Sequence, residues 1–551
     1  MVPGSILRAG IWLLATALAY WPLPFLEPLR ECAEAALRTL ARRPIWCCAG
    51  AALAVLLVRA VLLFASGIPQ PFVHDEYGYL LQADTFASGR LTNPTHPMAE
   101  FFETPYIFQS PSYNAKFPPG QGLVLALGQV LFGHAWYGVW LSCGALAAAL
   151  CWALQGYFRP TLALVGTILI LPLCIFSNWM NSYWGGAVAG IGGALVFGAL
   201  PRLRSGSAYA GVLLAAGAIL LLLTRPFEGA LVLAPALVVI LFHRLNWRQW
   251  TALTVPALAG LAFWGYYNAR VTGDPLHMPY AEYEVQYPMT SHFNVLPQPP
   301  RKDFDRLSIA WVDQWEREAW NEARRPGFAM QRLRDLWARA GTFVGSAMLL
   351  TPMFWFAAKW WRDRNLRAAG VAVVLSVWAA FVEVLYFDHY AAPALAPLLM
   401  LVVAGLGYLR QYQFSPSRTV GAWLACTLPA AALATALIGP VAALLAGAPL
   451  IPAPSGAREY LENLLAEEYG PHLVFVRRTG AGAINWALYP RVEFAPVQIE
   501  FVHNGANIDQ QFVVWAHDLG EKQNQRLREY YKDRRVWTYD PEVDPGRLHV
   551  K

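Results

Sequence analysis

Apolar residues in this chain gather into long runs, the sturdiest about 17 to 25 residues in length, which is what a bilayer core about 30 Å thick requires of a helix. Eleven runs stand out, some of them shorter than this: 45–66, 136–158, 161–178, 183–200, 208–224, 229–242, 250–268, 342–361, 366–387, 391–409 and 419–445. The short loops between them alternate in charge. One set carries Arg42/Arg43, Arg159, Arg202/Arg204, Arg244/Arg248, Arg362/Arg364/Arg367 and Arg410/Arg418, whereas the other holds almost nothing basic except Arg225. The positive-inside rule assigns the basic loops to the cytoplasm.

An earlier run, 9–26, is interrupted by Pro22 and Pro24 and followed by Pro28. It reads as a short span, an interfacial helix or a signal peptide, because Ala17-Leu18-Ala19 resembles a cleavage site. Cleavage would leave Arg30, Arg38, Arg42 and Arg43 outside, against the charge rule.

This topology places three polar regions on the outer side: 68–135, 269–341 and 446–551. The chain thus divides into an N-terminal membrane-associated segment (1–44), a transmembrane domain (45–445) and a soluble tail (446–551). Within the tail, 472–477, 497–503 and 511–516 have strand character, 536–539 forms a fourth candidate, and 520–531 has a helical pattern with Leu527 and Tyr531 on one face. The stretch 307–341 carries Trp311, Trp315, Trp320 and Trp337 and predicts helices lying on the outer membrane surface. Gly185-Gly186, Gly190 and Gly192-Gly193 predict close helix packing.

Composition agrees with a membrane protein. Of 551 residues, 56% are apolar and 14% charged, against about 25% charged in soluble domains. An ordinary soluble enzyme, a disordered chain and a disulfide scaffold are excluded. The net charge of +6 sits at the ends of apolar runs, so it marks topology and not a nucleic-acid partner. All seven cysteines lie in or beside apolar segments, and no Asn-x-Ser/Thr sequon with x other than Pro occurs. Both features lean towards a bacterial inner membrane over the endoplasmic reticulum, and the charge topology then puts the tail of this multi-pass protein in the periplasm. Group transfer on that face requires a donor that has already crossed, such as a polyprenyl-linked sugar.

Candidate chemistry is densest just after the first long span, in Val73-His74-Asp75-Glu76-Tyr77. Two adjacent carboxylates and a histidine at the membrane surface suit proton acceptance from a lipid-borne substrate, or else simply cap a helix. Further on come Tyr113-Asn114-Ala115-Lys116-Phe117-Pro118-Pro119 and a short helix over 120–132. Outer-side groups able to meet a phosphate are Lys116, Arg225, Arg270, His389 and Tyr390, of which Arg225 stands out as an isolated arginine at a span end. Its alternative partner is Glu228. Arg59, about two turns inside the first span, is expected mainly to snorkel as an anchor, with contact to a lipid phosphate as the other reading. His503, His517 and Asp518 match no metal-binding spacing.

The ordered set of an apolar span, Asp75-Glu76, a helix, Lys116-Phe117-Pro118-Pro119 and Leu131-Phe132-Gly133 resembles the start of the GT-C glycosyltransferases. The likeness is to the branch holding protein O-mannosyltransferases and the lipid A aminoarabinose transferase. Thr224-Arg225-Pro226, Tyr267-Asn268-Ala269-Arg270 and Asp388-His389-Tyr390 extend it over roughly 45–409. The resemblance implies an α-helical polytopic membrane protein of about 11–12 transmembrane helices, GT-C-like, with a small C-terminal α/β domain on the outer face. It further implies transfer of a sugar from a polyprenyl phosphate to a glycan, lipid or protein acceptor. Asp75 and Glu76 are then the catalytic candidates, and His74, Tyr113, Lys116, Arg225, Glu228, Arg270, His389 and Tyr390 the substrate-binding ones. Some relatives carry a second acid in the next outer loop. Here Asn178-Trp179-Met180-Asn181-Ser182-Tyr183-Trp184 has none, so no metal and no cofactor beyond the lipid-linked donor is expected. Two alternatives are a glycan polymerase or ligase using a polyprenyl-pyrophosphate donor, and a transporter or lipid flippase. A transporter would show internal repeats, and none stands out.

Overall fold

A computed structural model describes residues 2–21, 26–71, 73–413, 420–447, 457–478, 501–541, 543 and 547–550. Two helices, α1 (Val2–Tyr20) and α2 (Glu27–Ala41), precede α3 (Pro44–Ser66). The first outer region holds α4 (His74–Ala87), an antiparallel hairpin of β1 (Ile107–Phe108) and β2 (Asn114–Ala115), and α5 (Pro119–Phe132). Next come α6 (Trp136–Gln155), α7 (Pro160–Phe176), α8 (Gly186–Arg204), α9 (Tyr209–Thr224), α10 (Pro226–Leu241) and α11 (Trp247–Thr272). The second outer region carries α12 (Pro279–Gln286), α13 (Leu307–Glu322) and α14 (Phe328–Phe343). It leads into α15 (Leu350–Trp355), α16 (Ala357–Arg362), α17 (Arg364–Val382), α18 (Leu395–Gln411) and α19 (Val420–Leu445). The tail contains α20 (Ala457–Ala466), β3 (His472–Val476), β4 (Val513–His517), α21 (Glu521–Tyr530), β5 (Arg535–Tyr539) and β6 (Leu548–Val550).

The protein is an α-helical polytopic membrane protein with a small α/β unit at its C-terminal end. Six helical segments among the described residues are long and apolar enough to cross a bilayer, in α3, α6, α8, α17, α18 and α19. That is fewer than the eleven runs read from the sequence. Helices α7, α9 and α10 are as apolar but have only 17, 16 and 16 residues, or about 25 Å at 1.5 Å per residue. The run 342–361 is not one helix. Gly345 adopts a left-handed φ of 84°, and the chain restarts in short pieces on either side of Phe356. The run 366–387 stops as a helix at Val382.

Contacts at the two ends of the bundle agree with the charge alternation. At one end the amphipathic α2 docks through Glu34, which meets Arg30 at 2.7 Å and Arg410 at 2.8 Å, and Arg204 bonds Asn365. Arg418 lies outside the described residues. At the other end lie Ser66, Asn181, Arg225 and Asp388. Helices α8 and α18 form the enclosed centre, while α3 and α19 lie at the periphery with most of their length exposed to the surroundings.

Glycine sets the spacing at that centre. At Gly193 a Cβ would fall 2.0 Å from the Pro393 carbonyl oxygen, so the 388–394 segment can rest directly on α8. The helical packing role expected of this glycine group is thus met by direct backbone approach.

In the tail the strand order is β4-β3-β5-β6. Strand β3 is parallel to both neighbours, and β6 runs antiparallel to β5. Of the expected strand 497–503, residues 497–500 lie outside the described residues and Phe501–His503 joins no described sheet. Strand β6 has no counterpart among the runs with strand character in the sequence. The unit is bolted onto the first outer region: Asp84 Oδ2 accepts the Ala506 N–H at 2.6 Å, Asp509 meets His96 at 3.0 Å, and His517 Nε2 lies 2.6 Å from the Glu103 carbonyl.

Gly193→Leu is expected to force α8 and the 388–394 segment apart, a cost of about 3 kcal/mol or more for overpacking. A lower melting temperature in detergent micelles and a reduced monodisperse yield would check this.

Candidate functional site

A cavity of about 1010 Å³ opens at the outer end of the bundle. Its floor is the outer end of α3, its walls come from α4, the 178–184 loop, the α9–α10 junction and the 383–390 segment, and its roof comes from α12 and α13. Residues far apart in sequence therefore meet there.

Local chemistry explains how the first turn of α4 is presented. The chain leaves α3 through Gly67, whose φ of 63° suits a residue without a Cβ. Glu76, at the third position of α4, accepts the Val73 N–H at 3.0 Å and the Tyr183 N–H at 2.9 Å. One oxygen thus satisfies an orphan amide near its own helix start, and the other pins the loop after α7. Glu76 is buried and held by these two backbone donors. His74 is buried and, like Asp75, lines the cavity.

Asp75 is half-buried there. Burial is the largest influence on its carboxyl and pushes it above the usual carboxylate range, against the opposing pull of Lys116 and Arg225. The Lys116 ammonium is lowered for the same reason, burial outweighing the attraction of Glu316, Asp75 and Glu284. Its Nζ sits 3.8 Å from the centre of the Tyr106 ring, 5.1 Å from that of Tyr283 and 5.6 Å from that of Tyr280. This aromatic cage holds the charge out of water while offering it the negative ring faces. Tyr106 donates its hydroxyl hydrogen to Glu316 at 3.0 Å, and its backbone has a φ of 67°. Such a conformation in a non-glycine residue costs of order 1–3 kcal/mol and concentrates at functional sites.

On the opposite wall Arg225 caps the break between α9 and α10, where Pro226 starts the next helix. Its guanidinium lies 3.5 Å from Glu228 and 4.1 Å from the centre of the Tyr390 ring. His389 is buried between Trp184 and Tyr390, with ring centroids 4.8 Å away in both cases. Burial first, then Arg225 and Arg339, hold its imidazole well below the ordinary range, so it is neutral. Arg339, from α14, meets Asp388 at 2.6 Å.

Of the ten residues singled out by sequence, eight line this cavity: His74, Asp75, Glu76, Lys116, Arg225, Glu228, His389 and Tyr390. Two do not. Tyr113 is buried under the tail and donates its hydroxyl hydrogen to the Asn504 carbonyl at 3.0 Å. Arg270 stands off the buried face of α11, which is formed by Tyr267, Asn268 and Val271, and is exposed. Arg59 is also placed differently from its expected anchoring role: it is 1% exposed and turned into the protein.

Sequence reasoning missed Tyr106, Tyr280, Glu284, Glu316, Arg339 and Glu383, all of which line the cavity. In helix α13, Trp311, Val312, Trp315 and Glu316 form one helical face over the site, and Glu316 is buried. The spacing i, i+1, i+4, i+5 was the available signal.

The chain matches no protein-family model and no curated protein. Among solved structures it is similar to ArnT from Cupriavidus metallidurans in the apo state, at 14% identity and a TM-score of 0.49, covering 89% of this chain and 93% of that one. It is similar also to the same protein bound to undecaprenyl phosphate, at 15% identity and a TM-score of 0.49, covering 88% and 92%. A third likeness, at 12% identity and a TM-score of 0.43 over 77% and 62% of the two chains, is to the oligosaccharyltransferase of Archaeoglobus fulgidus in its apo form.

Proposed function

We propose that this protein is a GT-C-type glycosyltransferase that moves a sugar from a polyprenyl-phosphate donor to an acceptor hydroxyl at the outer face of a bacterial inner membrane. The observation that carries the reading is Asp75: a carboxylate raised by burial, at the end of the first long span, facing Lys116 and Arg225 across one cavity.

In this reaction the acceptor oxygen attacks the anomeric carbon. A new carbon–oxygen bond forms while the bond from that carbon to the phosphate oxygen breaks, and its electron pair leaves with the phosphate. The hydroxyl proton passes to Asp75, whose raised pKa strengthens it as a base. Lys116 and Arg225 supply fixed positive charge as the leaving phosphate gains charge. Neutral His389 and the Tyr390 hydroxyl are available as hydrogen-bond partners for the sugar or the phosphate. Glu76 keeps the first turn of α4 in place. The tail packs on α4 itself, with the His503 ring stacked 3.7 Å from that of Tyr77, which supports a part in holding the acceptor.

Metal independence belongs to the same reading, because the 178–184 loop, which lines the cavity with Asp75, has no carboxylate. Turnover by purified protein is expected to survive EDTA treatment within about twofold. A loss restored by added divalent ions would refute this.

Asp75→Asn is expected to lower kcat by about 10²–10⁴-fold, the usual contribution of a positioned general base. Glu76→Gln should mainly lower stability, by about 1–3 kcal/mol for weakened buried hydrogen bonds. Assays of sugar transfer alongside melting curves separate the two effects, and full activity in folded Asp75→Asn would end the proposal.

The pH profile follows from the shifts. Asp75 accepts a proton only when ionised, and its carboxyl titrates above the usual value of about 4. Activity should therefore be present above that raised value and fall as pH drops through it. Lys116 is useful while charged and titrates below its usual value of about 10.4, which brings the alkaline limb to lower pH. A bell-shaped profile of kcat/KM, narrower than unshifted groups would give, is the expected result.

A further inference from the structure

Four permanent or near-permanent cations line the cavity, and three have carboxylates beside them. Arg225 has Glu228 at 3.5 Å, Arg339 has Asp388 at 2.6 Å, and Lys116 feels Asp75, Glu316 and Glu284. Arg59 differs. It is 1% exposed, and its hydrogen bonds go only to neutral oxygens: Ser66 Oγ, the Gly67 carbonyl and Asn181 Oδ1, each at 3.2 Å. Among the described residues it pairs with no carboxylate, and its guanidinium lies 4.9 Å from the centre of the Trp136 ring. A buried charge without a counterion is costly.

Other donors in the same cavity are also unused. Arg59 Nε, Trp179 Nε1 and Trp184 Nε1 are buried N–H groups with no hydrogen-bond partner among the described residues. His389 Nδ1, beside Trp184, likewise has no partner. Trp179 and Trp184 belong to the loop that Glu76 and Arg59 both hold, through Tyr183 and Asn181 respectively. One guanidinium without a carboxylate beside it, together with several unpartnered N–H donors, has the chemistry that receives an anion. Several donors arriving from separate elements match a phosphate, whose oxygens point in several directions.

We propose that Arg59, Trp179 and Trp184 form a phosphate-oxyanion subsite on the wall of the cavity made by the end of α3 and the 178–184 loop. This rests on the glycosyltransferase reading only for where the phosphate comes from: the carrier lipid of the donor or a phosphate on a lipid acceptor. Either way Arg59 is the cation whose charge is free to be spent on a ligand.

The test uses the full chain in maltoside micelles, which contain no phosphate, with polyprenyl phosphate and phosphatidate as probes in equilibrium titrations. Arg59→Gln is expected to weaken binding of at least one probe about 10–100-fold, the range for losing a charged hydrogen-bond partner. Trp184→Phe keeps an aromatic ring, removes the N–H and should weaken the same probe about 3–10-fold. Loss confined to polyprenyl phosphate assigns the subsite to the carrier, and loss confined to phosphatidate assigns it to an acceptor headgroup. Unliganded Arg59→Gln should melt no lower than wild type, since it removes an uncompensated charge. Binding of both probes within twofold of wild type in folded Arg59→Gln overturns the proposal. If that variant does not fold, unchanged binding in Trp184→Phe does so instead. Asp75→Asn run in parallel keeps the two readings apart: retained turnover there defeats the transfer reaction and leaves the Arg59 result standing.

Discussion

The Glu76 carboxylate joins two parts of the chain that are 107 residues apart. By accepting one amide from the start of its own helix and one from the loop before α8, it ties the end of the first span to the centre of the bundle. The first turn of α4, which carries His74, Asp75 and Glu76, is tied to the 178–184 loop by this carboxylate. Asp75 and Glu76 are neighbours in sequence and both line the cavity, yet the Glu76 carboxylate is taken up by two backbone amides while that of Asp75 meets the field of Lys116 and Arg225. Helical geometry turns adjacent side chains about 100° apart, which is enough to divide their roles.

A second constraint is the cost of burying charge beside a membrane. The cavity meets it in three ways. Arg225 and Arg339 have carboxylates close by. Lys116 lies within an aromatic cage with acids around it. Arg59 has neutral oxygens and bare tryptophan N–H groups for neighbours. These arrangements leave the groups in different electrostatic states before any ligand arrives, so residues of like charge are not equivalent in what they offer a substrate. The raised Asp75 carboxyl and the neutral His389 result from the same desolvation.

Helix spacing and outer-loop packing supply the frame. Backbone contact at Gly193 lets the 388–394 segment settle on α8, which carries His389 and Tyr390 to the wall facing Asp75. On the outer side the tail grips the first outer region through Asp84, His96 and Glu103. The helix bearing Asp75 is thus held between the membrane bundle and the tail.

The membrane class, the gathering of the polar regions at one end of the bundle and the stretch that brings Asp75 to the cavity were legible in the sequence. They depend on local quantities: the length of apolar runs, the sign of loop charges and an unusual cluster of polar residues. The same is true of β3, β4, α21 and β5, whose periodicity is strong enough to read without partners. What only the tertiary structure decided depends on contacts between distant segments. The 342–361 run is apolar enough to span but is broken at Gly345. Glu316 reads as a solvated acid on a surface helix until that helix is seen to roof the cavity. Tyr113 and Arg270 sit in plausible motifs but point under the tail and off the buried face of α11. Arg59 looks like an anchor from its position in a span, and only the fold shows that it faces inward without a carboxylate. Hydropathy and charge are properties of a segment and survive in the sequence. Which side of a helix meets a cavity, and which charge has a partner, are set by packing between segments.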